Sequence, residues 1–414
     1  MNSLNNRDKQ INTIPIEETT DDIAKDYKGI YWRILFLNLV VFWAYQSLIS
    51  AQNYYIKFFP NDHIDFWGTV SCGTTMFICH IIQLIFGFYK YGFTKRIIPG
   101  YIGYIIMAIL VMSWKNSIVL IVAFGFVGGI NTLTESPIYG IAGLFPIGSF
   151  TQAVQVGAGL AGFLNVIVNT LIRLIVLLVH SHIDHDQLSF YIFMGVLIIL
   201  CLLAIYVYYS LMNIPSMKIR IKQQMTSFEC KTRNENIELH FIKNELSFWS
   251  LTKILKIHLL ILIYVFFITL LLWPGIPCNA TNNGWFKYNG HSWWCSPFII
   301  GTFNLGDLIG RILAMKVHKY FSKNICLFLS ILRTLFILII FFRHSIDNIL
   351  LLVLITLLGI TNGLVATVTF MVRPQTIVGV NNCEKAAYLM TTALYFGIAS
   401  GSIVAAILAV THVV

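Results

Sequence analysis

Long apolar stretches separated by short polar segments dominate the chain. Each stretch is near or above the roughly 20 residues that an α-helix needs to cross the hydrocarbon core of a bilayer. They lie at about 30–56, 66–89, 97–114, 117–144, 149–180, 188–212, 251–273, 296–315, 325–343, 347–371 and 386–411. The pattern predicts an all-α polytopic membrane protein with about eleven transmembrane helices, numbered here 1 to 11 in chain order.

The longest internal polar segment falls between predicted helices 6 and 7, so it divides the helices into six and five. We predict a disordered cytosolic tail at 1–28, because this segment is polar and partly acidic. An amino-terminal six-helix bundle at 29–213, a cytosolic linker at 214–250 and a carboxy-terminal five-helix bundle at 251–414 follow.

Composition supports a membrane location. Of the 414 residues, 57% are hydrophobic and only 11% are charged, whereas an ordinary soluble domain carries about 25% charged residues. The net charge of +10 could suggest nucleic acid as a partner, but the lysines and arginines stand mostly in short clusters between apolar stretches. That placement is what membrane orientation requires, so we expect the lipid bilayer and no nucleic acid as a partner.

Basic clusters before helix 1 and in alternate loops predict the orientation. The loops between helices 2 and 3, 6 and 7, 8 and 9, and 10 and 11 are basic, whereas the remaining loops carry almost no positive charge. We therefore predict a cytosolic N-terminus and a C-terminus on the outside. We also expect the protein to lie in the plasma membrane, so that the C-terminus is extracellular. The predicted external loop between helices 7 and 8 contains a glycosylation sequon at Asn279, and Cys278 and Cys295 flank it as candidates for a disulfide.

Predicted helix 8 contains the clearest polar group. Asn304, Asp307 and Arg311 are spaced i, i+3, i+7, which places them on one helical face. Such a face is too costly against lipid, so it must point into the bundle. The carboxylate accepts hydrogen bonds and the guanidinium donates them, so the pair could bind a planar polar ligand. Alternatively, it is a self-satisfied ion pair that locks the bundle.

Three further helices add intramembrane polar residues. Glu135 of helix 4 could face a ligand cavity, carry a proton or pair with Arg311 or Arg333. Pro137 follows closely and could kink the helix, because it lacks a backbone donor. Gln155 in helix 5 could reach the same cavity. Arg333 of helix 9 has no route to the interface if it is central, so we expect it to have a buried partner.

Helix 1 carries a cluster of aromatic and amide side chains. Such side chains suit a flat heterocycle, because rings stack and amides form hydrogen bonds. The alternative is that they mark the interfacial belt, which we favour for the residues at the end of the helix. We assign Tyr45 and Gln46 to the cavity, and we expect Asp307 and Arg311 to face Glu135 and Gln46 across it.

Several motifs, in this order, resemble the equilibrative nucleoside transporter family. The run at 303–311 is similar to the family's most recognisable signature, and Arg333 matches an arginine expected in its helix 9. Further similarities lie at 139–146, 159–163 and 361–363 and at Pro274, Pro374, Gly397 and Gly401. Three positions depart from the family pattern: Tyr45-Gln46 replaces Trp-Asn in helix 1, Glu135 replaces Gln in helix 4, and Ala158 replaces Gln in helix 5.

The resemblance implies a fold like that of the major facilitators with one helix fewer. It implies transport of nucleosides, with nucleobases carried by some members. Asp307 and Arg311 would then take part in sugar recognition and gating, and Asn304 would lie in the pocket. We assign structural or gating roles to Arg333, Pro137 and Asn362.

Our leading hypothesis is a nucleoside or nucleobase carrier, with purines favoured, that works by alternating access. It is either facilitative or coupled to protons, because Glu135 leaves the second mode open. The alternative is a carrier of another small polar or cationic solute on the same scaffold. Paired acids, ordered His clusters and metal-binding loops are not evident in the sequence, so we predict a protein that is not an enzyme, with no cofactor and no metal.

Overall fold

The computed structural model of the protein describes residues 18–59, 62, 64–88, 91–145, 148–178, 184–222, 246–273, 296–342, 346–372 and 380–411. The regular structure of these residues is helical, without strands. Among them are 11 helices that are long and apolar enough to cross a membrane. The predicted fold class is confirmed.

The spans are labelled α1 to α11 in chain order. A short helix, Gln52–Phe58, follows α1. One π-helical turn, Ser296–Ile300, precedes α8. Helix α9 continues through a 3₁₀ turn, Arg333–Ile337, into a last helical segment, Leu338–Phe342. The bounds are α1 Glu18–Ser50, α2 Ile64–Ile85, α3 Phe93–Ser113, α4 Ser117–Gly143, α5 Gly148–Leu177, α6 His185–Met212, α7 Phe248–Leu272, α8 Gly301–Val317, α9 Lys323–Leu332, α10 Asn348–Met371 and α11 Val380–Val410.

Polar residues between the apolar stretches fix where several helices begin. Asn116, Asp184, Ser247, Ser322 and Asp347 each stand just before a helix, and their side chains accept hydrogen bonds from backbone N–H groups of its first turn. Those N–H groups have no partner within the helix, so a side-chain cap satisfies them.

The outside of the bundle is apolar. Leu178 is 84% exposed, Phe341 is 75% exposed and Ile85 is 74% exposed. Hydrophobic exposure of this extent on a soluble protein would be an aggregation hazard. Here it is the surface that the lipid chains cover.

The two halves, α1–α6 and α7–α11, meet along two helix pairs. Helix α2 packs against α11, and α5 packs against α8. In each pair the second helix of one half meets the fifth helix of the other, so the arrangement is approximately two-fold. The odd-numbered helices all begin at the same end of the bundle, which we call the basic end because Lys95, Lys253, Lys323 and Lys385 lie there.

Helices α8 and α10 approach each other at backbone distance. A Cβ added at Gly306 would lie 2.4 Å from the Thr356 carbonyl oxygen, and one at Gly363 would lie 2.0 Å from that of Asp307. Gly310 and Gly359 make equally close reciprocal contacts. Small residues at i and i+4 allow such close packing in membranes, where lipid competes for apolar surface.

Two predicted domain boundaries need correction. Residues 18–28 belong to α1, not to a disordered tail. The last residues of this segment have partners in the bundle: Asp26 accepts a hydrogen bond of 2.8 Å from Ser216, and the Tyr27 ring lies 5.2 Å from that of Phe150. Residues 215–222, assigned to the linker, are helical, and α7 begins at Phe248, before the predicted boundary at 251.

The candidate disulfide and glycosylation site lie outside the described residues. This concerns Cys278, Cys295 and Asn279, and also most of the linker, residues 223–245.

We predict that Gly363→Ala destabilises the protein by at least about 1–3 kcal/mol, the usual cost of overpacking, because the new methyl group meets backbone rather than a movable side chain. Gly195 is the matched control, since it lies inside α6 and nothing is within 4 Å of a Cβ placed there. The melting temperature of detergent-purified protein should fall for Gly363→Ala and stay constant or rise for Gly195→Ala. Equal melting temperatures for both variants would contradict the close α8–α10 contact.

Candidate substrate site at the interface of the halves

The site begins with the polar face of α8. Asn304, Asp307 and Arg311 are 3%, 6% and 7% exposed. The Arg311 guanidinium donates from Nε to Asp307 Oδ2 at 2.7 Å, one helical turn away. Two opposite charges are thereby neutralised within one helix, as burial in a membrane requires.

The same face of α8 bonds to α5 in the other half. Arg311 Nη1 donates to the backbone oxygen of Gln155 at 3.0 Å and also to its side-chain Oε1. Asn304 Nδ2 donates to the Gly162 carbonyl at 3.1 Å. A Cβ at Gly159 would lie 2.8 Å from Arg311 Cδ, and one at Gly162 would lie 2.7 Å from Asn304 Oδ1. The glycines of α5 therefore provide the space that these side chains occupy.

The second oxygen of Asp307 starts a chain of bonds through the carboxy-terminal half. Oδ1 accepts from Asn362 Nδ2 at 2.7 Å, and Asn362 Oδ1 accepts from Thr269 at 2.8 Å. Thr269 in turn accepts from Arg333 Nη2 at 2.5 Å. The predicted buried partners of Arg333 are thus Thr269, the Leu358 carbonyl at 3.0 Å and Thr361 at 2.5 Å. Asn362 therefore connects the two buried arginines: it bonds Thr269, which bonds Arg333, and it bonds Asp307, which bonds Arg311.

The chain also reaches α4. Gln155 Nε2 donates to the hydroxyl of Tyr139, whose ring stacks on Phe370 of α10 at 5.0 Å and 15°. Helices α4, α5, α7, α8, α9 and α10 therefore share one continuous polar network that crosses from one half to the other.

Glu135 lies in a second polar group, between α4 and α11. Its Oε2 accepts from the Tyr395 hydroxyl at 2.6 Å. Its Oε1 is buried and has no hydrogen-bond partner in the described part of the chain. Arg311 lies near enough to interact with it electrostatically, but the two form no hydrogen bond among the described residues. Pro137 lies two residues further on, and α4 continues through it to Gly143.

The second group extends to the basic end through residues that the sequence analysis did not select. The neighbour of Glu135, Ser136, is 3.3 Å from His80 Nδ1 of α2, and His80 Nε2 is 3.1 Å from the Tyr388 carbonyl of α11. Arg96 of α3 donates to the Tyr388 hydroxyl and forms an ion pair with Glu384 at 3.3 Å. The contacts of His80 and Arg96 with Tyr388 and Glu384 join the amino-terminal half to α11, whereas the Ser136–His80 contact lies within the amino-terminal half.

Tyr45 and Gln46 of α1 do not join either group. Tyr45 bonds Thr69 of α2, which lies in its own half. Gln46 is 8% exposed, and its Oε1 has no partner among the described residues. In the described structure, no hydrogen bond links either residue to Asp307, Arg311 or Glu135. That Tyr45 and Gln46 contribute to a cavity shared with these residues stays a prediction.

Two helical halves that meet along paired helices, with buried charges at their interface, define a membrane transporter. The fold matches that of a major facilitator superfamily proton:xylose symporter, XylE, bound to 6-bromo-6-deoxy-D-glucose. The TM-score is 0.57 at 11% identity, over 94% of this chain and 96% of that one. At this identity the likeness concerns the fold alone.

The family follows from the sequence comparison. The model of the nucleoside transporter family matches residues 118–410, and the chain belongs to that family. The chain is also 22% identical over 415 residues to the equilibrative nucleotide transporter 1 of Arabidopsis thaliana. The alignment covers 94% of this chain and 88% of that protein. The resemblance stated from the motifs is thereby confirmed.

We predict that Asn362→Leu destabilises the protein by about 1–3 kcal/mol, because it leaves the buried Oδ1 of Asp307 without its hydrogen-bond donor. Thr356→Val is the control: Thr356 lies on the same helix, and its hydroxyl bonds the Leu352 carbonyl of that helix. Thermal unfolding in detergent should show a clear loss for Asn362→Leu and little change for Thr356→Val. A melting temperature of Asn362→Leu equal to that of the wild type would contradict the chain of bonds.

Proposed function

We propose that the protein is a carrier of nucleosides, and of nucleobases as well, that works by alternating access and favours purines. The observation that carries the proposal is the Asp307–Arg311 pair, which is buried and bonds to Gln155 across the interface of the halves. Family membership supports the substrate class. Transporters of related architecture hold their substrates between two halves that rock against each other.

Buried polar groups of the amino-terminal half suit such a substrate. Gln46 Oε1, Asn131 Oδ1 and Glu135 Oε1 are buried acceptors without a partner in the described residues, and all three belong to the amino-terminal half. Buried polar atoms are normally paired, so unpaired ones indicate a missing ligand or water. Nucleosides offer hydroxyl and amino donors to such acceptors, and ring nitrogens to the Arg311 donors.

We propose seven residues as substrate contacts: Asp307, Arg311, Asn304, Glu135, Tyr45, Gln46 and Gln155. Arg311 and Asn304 now bond to α5, so a substrate would replace bonds that the halves make to each other. Tyr45 and Gln46 would have to join the site through movement of α1 relative to the carboxy-terminal half.

We further propose that the two bundles, α1–α6 and α7–α11, are the moving units, connected by the linker between α6 and α7. The distribution of lysine and arginine supports a cytosolic basic end and a C-terminus on the opposite side. We propose the plasma membrane as the location, which makes that side extracellular. With this orientation, the Arg96–Glu384 ion pair and the Tyr139–Phe370 stack close the cytosolic side. Release of substrate to the cytosol would then require both contacts to break.

We predict that Asp307→Ala and Arg311→Ala each abolish uptake of labelled adenosine or hypoxanthine while the protein still reaches the membrane. Either change leaves one buried charge without its partner, which alone costs about 3–5 kcal/mol. Surface labelling must therefore accompany uptake. Lys316→Ala, at the end of the same helix, is the control that should transport normally.

A double variant separates recognition from structure. Asp307→Asn combined with Arg311→Gln removes both charges and leaves neither alone. If the pair only stabilises the fold, this variant should recover uptake; we expect it to remain inactive. Normal uptake by both single alanine variants would refute the assignment of the site.

Glu135 supports two alternatives to facilitative nucleoside transport. Its Oε1, unpaired among the described residues, could carry a proton in coupled transport, or it could contact a cationic solute. Uptake of several labelled purines by reconstituted liposomes, with and without a proton gradient, distinguishes these modes. If Glu135 carries a coupled proton, the gradient stimulates the wild type and Glu135→Gln loses that stimulation. Equal uptake with and without the gradient assigns the facilitative mode. Competition by monoamines but not by nucleosides or nucleobases would favour the alternative solute class.

A further inference from the structure

A cavity of about 490 Å³ opens at the basic end, between the first turns of α7, the start of α9 and the end of α10. It lies outside the interface of the halves. The charged side chains that line it are Lys253, Lys256 and Lys323, and none of them has a carboxylate partner in the described part of the chain. Three ammonium groups around one cavity repel each other unless an anion lies between them.

A buried imidazole completes the cavity. His258 is 6% exposed and lines the cavity. Its ring is held by a hydrogen bond to the Val372 backbone, while Nδ1 is buried and has no partner among the described residues. A buried nitrogen left unpaired costs free energy, so a ligand or water at this position would be stabilising.

The position of the cavity indicates which anion reaches it. Trp249, in the first turn of α7, is 69% exposed, and the Lys253 ammonium lies 5.5 Å from its ring centroid. Exposed tryptophans at helix ends lie at the level of the lipid headgroups. Ile254 lines the cavity too and is 37% exposed on the outside of the bundle. The cavity thus combines cationic groups at headgroup level with an apolar wall toward the lipid chains.

We propose that this cavity binds the phosphorylated headgroup of an anionic phospholipid, of the phosphoinositide type. Basic pockets between transmembrane helices at the cytosolic side are suited to such headgroups, and the volume lies in the range of small-molecule sites. The phosphates lie among the three lysines, and His258 Nδ1 accepts a hydrogen bond from a headgroup hydroxyl. The ligand would connect α7, α9 and α10 at their basic ends. The proposal is independent of the transported substrate.

The test measures binding of dioctanoyl phosphatidylinositol 4,5-bisphosphate to the purified full-length protein in uncharged detergent, by thermophoresis. The first variant combines Lys253→Gln, Lys256→Gln and Lys323→Gln. A basic residue near the membrane surface is worth about fivefold in affinity for an anionic lipid, so this variant should bind roughly 100-fold more weakly. The control combines Lys218→Gln, Lys316→Gln and Lys319→Gln, which removes the same charge from the basic end outside the cavity, and should bind within about threefold of the wild type.

Two further arms distinguish the source of the anion and the role of the imidazole. His258→Phe removes no lysine charge, yet it should weaken binding several-fold. Melting temperatures without lipid show whether each variant is folded. If both triple lysine variants bind the lipid equally weakly, binding depends only on the general surface charge, and the proposal is overturned. Binding of inorganic phosphate or inositol trisphosphate as tight as that of the lipid would overturn the lipid as the ligand.

Discussion

The buried guanidinium of Arg311 is the charge around which the interface is organised. An isolated charge at this depth of a membrane bundle is costly, so its partners must all come from the protein. One partner, Asp307, lies on its own helix, and the other, Gln155, lies in the opposite half. The same side chain is therefore neutralised within one half and bonded to the other. Asn362, Thr269 and their neighbours follow from the need to pair the remaining oxygen of Asp307.

Small residues make this polar arrangement possible. The bond of 2.7 Å between Asn362 and Asp307 requires α8 and α10 to approach at backbone distance, which Gly306 and Gly363 permit. On the other side of α8, Gly159 of α5 leaves room for the Arg311 side chain. Lipid chains are as apolar as leucine, so apolar attraction between helices is weak in a bilayer, and close packing with hydrogen bonds must hold the halves together.

The sequence allowed accurate prediction of what depends on a local pattern. The spans follow from apolar length, and the inward face of α8 follows from the spacing of Asn304, Asp307 and Arg311. A partner for Arg333 was expected because a central arginine needs one. Its identity could not be predicted, since Thr269 lies 64 residues away along the chain and only packing brings the two together.

The residues that sequence reasoning missed were hidden by their position at the ends of spans. Arg96 lies at the start of α3, next to the basic loop between helices 2 and 3 that predicts the orientation, yet it is 3% exposed and pairs with Glu384. A charge near a helix end is compatible with solvent, with headgroups or with a buried partner, and one sequence does not distinguish these. Ser136 directly follows Glu135, but the sequence does not predict its contact with His80, because that contact depends on how α2 crosses α4. The hydrogen bond between Tyr45 and Thr69 could not be predicted either, because it depends on how α1 packs against α2.

The bonds at the interface divide into two kinds, and this division matters for a protein that must change shape. The Asp307–Arg311 and Asn362–Asp307 bonds lie within one half, so they can persist while the halves move. The bonds from Arg311 to Gln155 and from Arg96 to Glu384 join the halves, so they would have to break if the halves separate as proposed. Interhelical bonds in membranes are worth about 1–2 kcal/mol or less each, because alternative partners are available. Two states of a carrier that differ by a few such bonds remain within reach of each other. If Arg311 contacts the substrate as proposed, a substrate that offers acceptors would replace the bond to Gln155 rather than leave a bare charge, which would lower the cost of separating the halves when the site is occupied.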